Sequence, residues 1–119
     1  MNYDENNIFA KIIRKELFAD IIFEDENVIC LKDIKPRAPV HILVIPKGSY
    51  TDYSNFIKNA TDKEILSYFK AIGKISEDFE LDKKGYRIIS NIGDFAGQEV
   101  PHFHCHVLGG SFLGNMINK

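Results

Sequence analysis

The sequence predicts an α+β domain: an antiparallel sheet of about five strands with two helices packed on it. Three observations carry this. Two stretches place apolar residues at helical spacing. Five short runs are rich in β-branched residues or alternate apolar with polar ones. Their order is helix, three strands, helix, two strands.

The first helix is IFAKIIRKE, 8–16, with apolar side chains at 8, 9, 12 and 13 and Asn7 as its N-cap. IIFED and NVICLKD follow around an Asp-Glu-Asn turn and read as a hairpin over about 21–33. KPRAP then breaks the chain, because proline and the residue before it disfavour helix. VHILVIP, 40–46, is nearly continuous in apolar residues and reads as a buried strand closed by Pro46. Thr61 and Glu64 form a capping-box pattern. The helix after it spans about 62–80, with Ile65, Phe69, Ile72 and Phe79 on one face. YRIISN, 86–91, is the fourth strand. The loop NIGDFAGQEVP leads into HFHCHVL, 102–108, the fifth.

No repeat or linker divides the chain, so one domain is expected over 7–119. A net charge of −2 argues against nucleic-acid binding through a broad basic surface. No apolar run approaches the roughly 20 residues of a membrane helix. The opening MNYDENN is polar and acidic, unlike a signal peptide. Cys30 and Cys105 form no CxxC pair, so a reducing, cytoplasmic setting is expected.

His102, His104 and His106 stand at alternate positions of one strand. They share one face, with Phe103, Cys105 and Val107 on the other. The second set is apolar, so the histidine face is expected to be polar or partly wet. Three readings are open. The first is a plain solvated face. The second is a metal site. Strand residues two apart rise about 6.8 Å and four apart about 13.5 Å. That span is too long for His102 and His106 to share one ion without help. His41 could give a further ligand and Asp33 a carboxylate, whereas Cys105 points the other way. The third reading is nucleophilic and acid–base chemistry on an anion. Clustered imidazoles disfavour one another's cations, so some stay neutral near pH 7. A neutral nitrogen can attack phosphorus, and a neighbouring imidazolium can protonate a leaving group. Gly93 and Gly97, just upstream, allow a backbone phosphate nest.

His102-Phe103-His104-Cys105-His106-Val107-Leu108 resembles the histidine-triad motif of the HIT superfamily, His-φ-His-φ-His-φ-φ. IFAKIIRKE, IIFEDE, DIKPRAPVHILVIPK, GYRIISN and GQEV-x-HFHCHVLGG are similar to its Hint branch of nucleoside phosphoramidases and related nucleotide-binding proteins. The resemblance runs from about Asn7 to Gly110.

It implies the HIT-like fold, a homodimer with one ten-stranded sheet, and cleavage of purine nucleoside 5′-phosphoramidates through a nucleotidyl-histidine. The partner is then a purine nucleotide of the AMP or GMP type, with no cofactor and no metal. A nucleotide-binding adaptor with incidental hydrolysis is the alternative. His104 matches the family nucleophile, His106 the histidine at the phosphate and bridging atom, and His102 and His41 the supporting pair. Asp33 matches the carboxylate for the ribose hydroxyls. Ile8, Phe9, Ile12, Leu31 and Ile34 match the nucleobase pocket. Asn91, Gly97, Gln98, Glu99 and Val100 match the phosphate-side loop.

The chain also departs from the pattern. Leu31 replaces a frequent Phe, Glu99 the Ser of animal members, and Pro101 a usual aromatic. The tail SFLGNMINK lacks the animal "WPPG" ending. Val28 stands where a zinc-binding cysteine occurs in some members.

Overall fold

The computed structural model describes residues 2–117. Its elements are α1 (Ile8–Ile13), β1 (Ile21–Glu24), β2 (Val28–Lys32), β3 (Val40–Pro46), α2 (Tyr53–Asn59), α3 (Asp62–Asp78), β4 (Tyr86–Ile89) and β5 (Cys105–Gly109). The five strands form one antiparallel sheet in the order β1-β2-β3-β5-β4. The expected domain limit at residue 119 lies outside the described residues.

Both faces of the sheet are covered at β2 and β3, which explains their unbroken apolar runs. Val28, Cys30, Ile42, Val44, Phe103, Cys105 and Val107 pack against Tyr68, Ala71, Ile72 and Ile75 of α3 and Phe56 of α2. Ile29, Leu31, Leu43 and Ile45 face the other way, onto Phe9 and Ile12 of α1. The period-two alternation of a strand thus feeds two separate clusters. The hairpin turn is held by Asp25, whose Oδ1 accepts the backbone N–H groups of Asn27 and Val28 at 2.8 Å each. Thr61 and Glu64 form the complete capping box. Among the described residues, no helix is long and apolar enough to cross a membrane.

The structure corrects the sequence reading in five places. The first helix ends at Ile13, not at 16: Lys15 adopts a φ of 64° and the chain turns away. Residues 14–16 are all exposed, so no buried contact extends the helix. A third helix, α2, was not expected. It is only seven residues long and buries Phe56 alone, so it has no apolar period to read. Asp52 starts it by accepting the Asn55 N–H at 2.8 Å. Helix α3 stops at Asp78 and its buried face is Tyr68, Ala71, Ile72, Ile75 and Ser76. Phe69, expected on that face, is exposed. The Tyr68 hydroxyl donates to the Val44 carbonyl at 2.7 Å and turns its own position inward. The strand expected over 86–91 ends at Ile89, which pairs with His106. The last strand begins at Cys105 rather than His102, because its ladder with β3 starts at the Val44–Cys105 pair.

Phe103 is the hub of the α3-side cluster. It is 1% exposed, with ring centroids 4.9 Å from Phe56 and 5.0 Å from Tyr68. Truncation leaves a cavity there, so Phe103→Ala should cost about 3–5 kcal/mol. Urea unfolding checks this, and a loss under about 1 kcal/mol would contradict that packing role.

Candidate active site

The register of β3 and β5 brings the histidines together. Leu43 pairs with His106 and His41 with Leu108, so His41 and His106 are diagonal neighbours on the α1 side of the sheet. Asp33 follows β2, and its N–H donates to the His41 carbonyl at 3.0 Å. His102 and His104 precede the ladder of β5, His102 at a bend whose N–H turns back to the Val100 carbonyl. Phe9 of α1 sets its ring edgewise to both, at centroid distances of 6.2 and 4.9 Å.

The histidine face is therefore wet only in part, at its His106 end. His102 is fully buried, His104 and His41 are 8% and 6% exposed, and only His106 is half-buried. The alternation was read correctly, but α1 covers the face that the sequence left open to solvent.

Hydrogen bonds assign the ring protons. His104 Nδ1 lies 2.7 Å from the His102 carbonyl, which can only accept. In the neutral ring Nδ1 therefore carries the proton, and Nε2 keeps its lone pair. On the neighbouring strand the Arg37 N–H donates to His41 Nδ1 at 3.1 Å. His41 must then carry its proton on Nε2, which lies 2.9 Å from His106 Nδ1 and 3.4 Å from Asp33 Oδ2. His106 Nδ1 accepts, so its proton sits on Nε2. The result is one bare nitrogen on His104 and one N–H on His106, with ring centroids 5.2 Å apart. His102 uses both nitrogens internally: Nε2–H donates to the Pro46 carbonyl at 2.7 Å, and Nδ1 accepts from the Tyr3 hydroxyl.

Burial sets the charge state. It pushes His102 and His106 down to about 4, and for His106 the neighbouring His104 and His41 add to the effect. His41 and His104 are also lowered by burial, with Asp33 opposing in both cases and Glu99 opposing for His104. All four rings are neutral at pH 7. The imidazolium invoked in the sequence reading is not the resting state.

The other expected residues fall into groups. Phe9, Ile12 and Leu31 are buried in one cluster, whereas Ile8 and Ile34 are exposed, Ile34 at 86%. Asp33 is both a turn residue and a neighbour of the histidines: its Oδ1 accepts the Lys35 N–H at 2.8 Å while Oδ2 faces His41. Gln98 is occupied in shaping its loop. Its Nε2 donates to the carbonyls of Thr51 and Val100, and its Oε1 accepts the Gly93 N–H. Gly97 supplies a left-handed turn at φ 71°, Glu99 is exposed, and Asn91 and Val100 are half-buried. Ligand atoms of Asp33, His41 and His106 lie within 4.8 Å of one another and could hold a cation. His102 is not part of that group. Sequence reasoning missed Tyr3, the Arg37 N–H and the Ser90 hydroxyl, which donates to the His104 carbonyl at 2.8 Å. No spacing pattern marks any of them.

The burial of His102 makes stability depend on pH. The unfolded ring titrates near 6.5 and the folded one near 4, so the unfolded state takes up the proton first. Stability should be full above pH 6.5 and fall between 6.5 and 4, by as much as about 3 kcal/mol from this residue. His102→Gln should flatten the loss. Thermal unfolding across that range checks this, and equal slopes for both proteins would contradict it.

Comparisons with known proteins agree with this fold. The HIT domain family matches residues 14–113. A HIT-like protein of Rickettsia prowazekii (strain Madrid E) is 50% identical over 117 residues, covering 98% of each chain. The purine nucleoside phosphoramidase of Escherichia coli (strain K12) is 39% identical over 113 residues, covering 95% of this chain and 94% of the relative. A solved HIT family hydrolase from Clostridium thermocellum superposes with a TM-score of 0.84 at 43% identity, covering 97% of this chain and 99% of the other. The family match spans the five strands, α2, α3 and the positions of all four histidines, and the chain belongs to the HIT family.

Proposed function

We propose that this protein is a hydrolase of purine nucleoside 5′-phosphoramidates, releasing a nucleoside monophosphate and an amine. The observation that carries the reading is the bond from His104 Nδ1 to the His102 carbonyl, which leaves His104 Nε2 as a buried, uncharged nucleophile. Its similarity to the phosphoramidase of Escherichia coli supports the substrate class.

In this scheme Phe9, Ile12 and Leu31 form the floor of the base site, and Ile8 and Ile34 offer apolar surface at its rim. Asp33 accepts the ribose hydroxyls. The loop through Asn91, Gly97, Gln98, Glu99 and Val100 borders the phosphate. The exposed Glu99 carboxylate would repel that anion, so this position contributes through its N–H.

The bound anion raises the proton affinity of His106, which takes a proton from solvent at Nδ1 as the bond from His41 Nε2–H gives way, and so enters the reaction charged. His104 Nε2 attacks the α-phosphorus. As the P–N bond breaks, His106 passes its Nε2 proton to the departing nitrogen, and the amine leaves. Water then attacks the phosphorus, gives a proton to His106, and the His104–phosphorus bond breaks to free the monophosphate. Each turnover consumes one water and returns both rings to their starting charge.

A homodimer is part of the proposal. β4 is an edge strand that exposes Tyr86 and Ile88, and pairing of two such edges would give a ten-stranded sheet. So is a cytoplasmic setting, in which the buried thiols Cys30 and Cys105 stay reduced.

With adenosine phosphoramidate as substrate, His104→Ala should lose hydrolysis while retaining AMP affinity. Quenched wild-type enzyme should carry an adenylyl group on His104 by mass spectrometry. An active variant, or an adduct elsewhere, would overturn the assignment. Asp33 should set the sugar preference, since losing one charge-assisted bond costs about 1.5–3 kcal/mol, or roughly 10- to 150-fold. Wild type should bind AMP more tightly than dAMP by that factor. Asp33→Asn keeps an acceptor for the Lys35 turn and should narrow the gap. Calorimetry of both ligands decides, and an unchanged ratio removes Asp33 from the site.

A further inference from the structure

We infer that Tyr3 is a positioning residue for this chemistry: its hydroxyl locks the ring of His102, and through the His102 carbonyl it holds the tautomer of His104. The inference rests on the proposed function for its kinetic meaning, but not for its geometry.

The carbonyl that orients His104 belongs to a residue outside the ladder. β5 begins at Cys105, and the pairing with β3 starts there too. The His102 N–H closes a tight turn onto the Val100 carbonyl at 2.8 Å, so it gives no sheet bond either. On its C-terminal side the Phe103 N–H, in the same peptide as the His102 carbonyl, donates to the Tyr50 carbonyl at 2.8 Å, and the His102 side chain is anchored at both ends. Nε2–H donates to the Pro46 carbonyl at the end of β3. Nδ1 accepts from the Tyr3 hydroxyl, and the Tyr3 ring stands edgewise to the imidazole at 5.5 Å. With only one anchor the ring could swing about its bond to Pro46, leaving the carbonyl held by the Phe103 bond alone.

Tyr3 is itself held in place. The Asp4 carbonyl accepts the Asn7 N–H at 3.2 Å and the Asn7 Nδ2 at 2.7 Å. Asn7 is also the N-cap of α1, through its bond from the Ala10 N–H. Arg14 just past that helix donates to the Glu5 carbonyl at 2.9 Å. The segment before α1 is thus strapped to the same helix that lays Phe9 against His102 and His104. One short N-terminal stretch sets both the helix cap and the far nitrogen of His102.

The test compares Tyr3→Phe and Tyr3→Ala with wild type. Single-turnover cleavage of adenosine phosphoramidate should slow by about 2- to 12-fold in Tyr3→Phe, the factor for one neutral hydrogen bond. KM should stay within about two-fold. Tyr3→Ala should lose no more than Tyr3→Phe if the hydroxyl is what matters. Two-bond 1H–15N spectra of histidine-labelled Tyr3→Phe should show His104 moving from a single tautomer toward a mixture. A wild-type rate in Tyr3→Phe, or a loss confined to Tyr3→Ala, would overturn the inference. So would a His104 spectrum unchanged in Tyr3→Phe. If wild type itself cleaves no phosphoramidate, the proposed function fails, and the His104 spectrum alone decides the role of Tyr3.

Discussion

One backbone acceptor decides the chemistry of this fold. The His102 carbonyl takes the Nδ1 proton of His104, and everything reactive follows from that choice. Had the ring faced the other way, Nε2 would carry the proton and could not attack. The assignment is not soft, because a buried donor left without a partner costs about 1–3 kcal/mol. Each histidine of the cluster meets the same demand with a different acceptor or donor. Pro46 fixes His102, the Arg37 N–H fixes His41, and His41 in turn fixes His106. A proton is thereby placed on Nε2 of His106 and withheld from Nε2 of His104, although the two side chains are of one type and two residues apart.

Burial and function are coupled through the same strand. Phe103, Cys105 and Val107 anchor it to α3 from one side, while α1 closes over His102 and His104 from the other. The closure strips water from the rings and keeps them neutral, with His102 and His106 held near 4. Neutral rings are good nucleophiles and poor electrostatic anchors. An arriving phosphate supplies the missing charge balance, since an anion near His106 favours its protonated form. The resting site is thus poised to take up a proton only when substrate is present. The cost is acid sensitivity, because every ring kept neutral in the fold is one that the unfolded chain protonates first.

The sheet was legible because strands announce themselves by short-range pattern. VHILVIP and NVICLKD are apolar on both faces, and both turned out to be covered on both faces. The capping box at Thr61 and the Asp-Glu-Asn turn were legible for the same local reason. Helix α2 was not, since a single buried Phe56 leaves no period. The alternation of His102, His104 and His106 correctly sorted two faces, yet it could not tell that α1 would cover one of them. Burial of a strand face depends on an element about 90 residues away in the chain. Asp33 and His41 were named from the sequence, but their contact arises only from the register of β2, β3 and β5. Tyr3 and the Arg37 N–H belong to no motif, because a hydroxyl or a backbone N–H can serve a histidine from any position that the fold brings near.

The central claim is a statement about where four protons sit, and it can be read directly. Two-bond 1H–15N correlation of the histidine rings in the ligand-free wild-type protein at pH 7 distinguishes Nδ1–H, Nε2–H and the cation for each residue. The account predicts Nδ1–H for His104 and Nε2–H for His41, His102 and His106, with no cation among them. A protonated Nε2 on His104, or a charged His106 before any nucleotide is added, would contradict it.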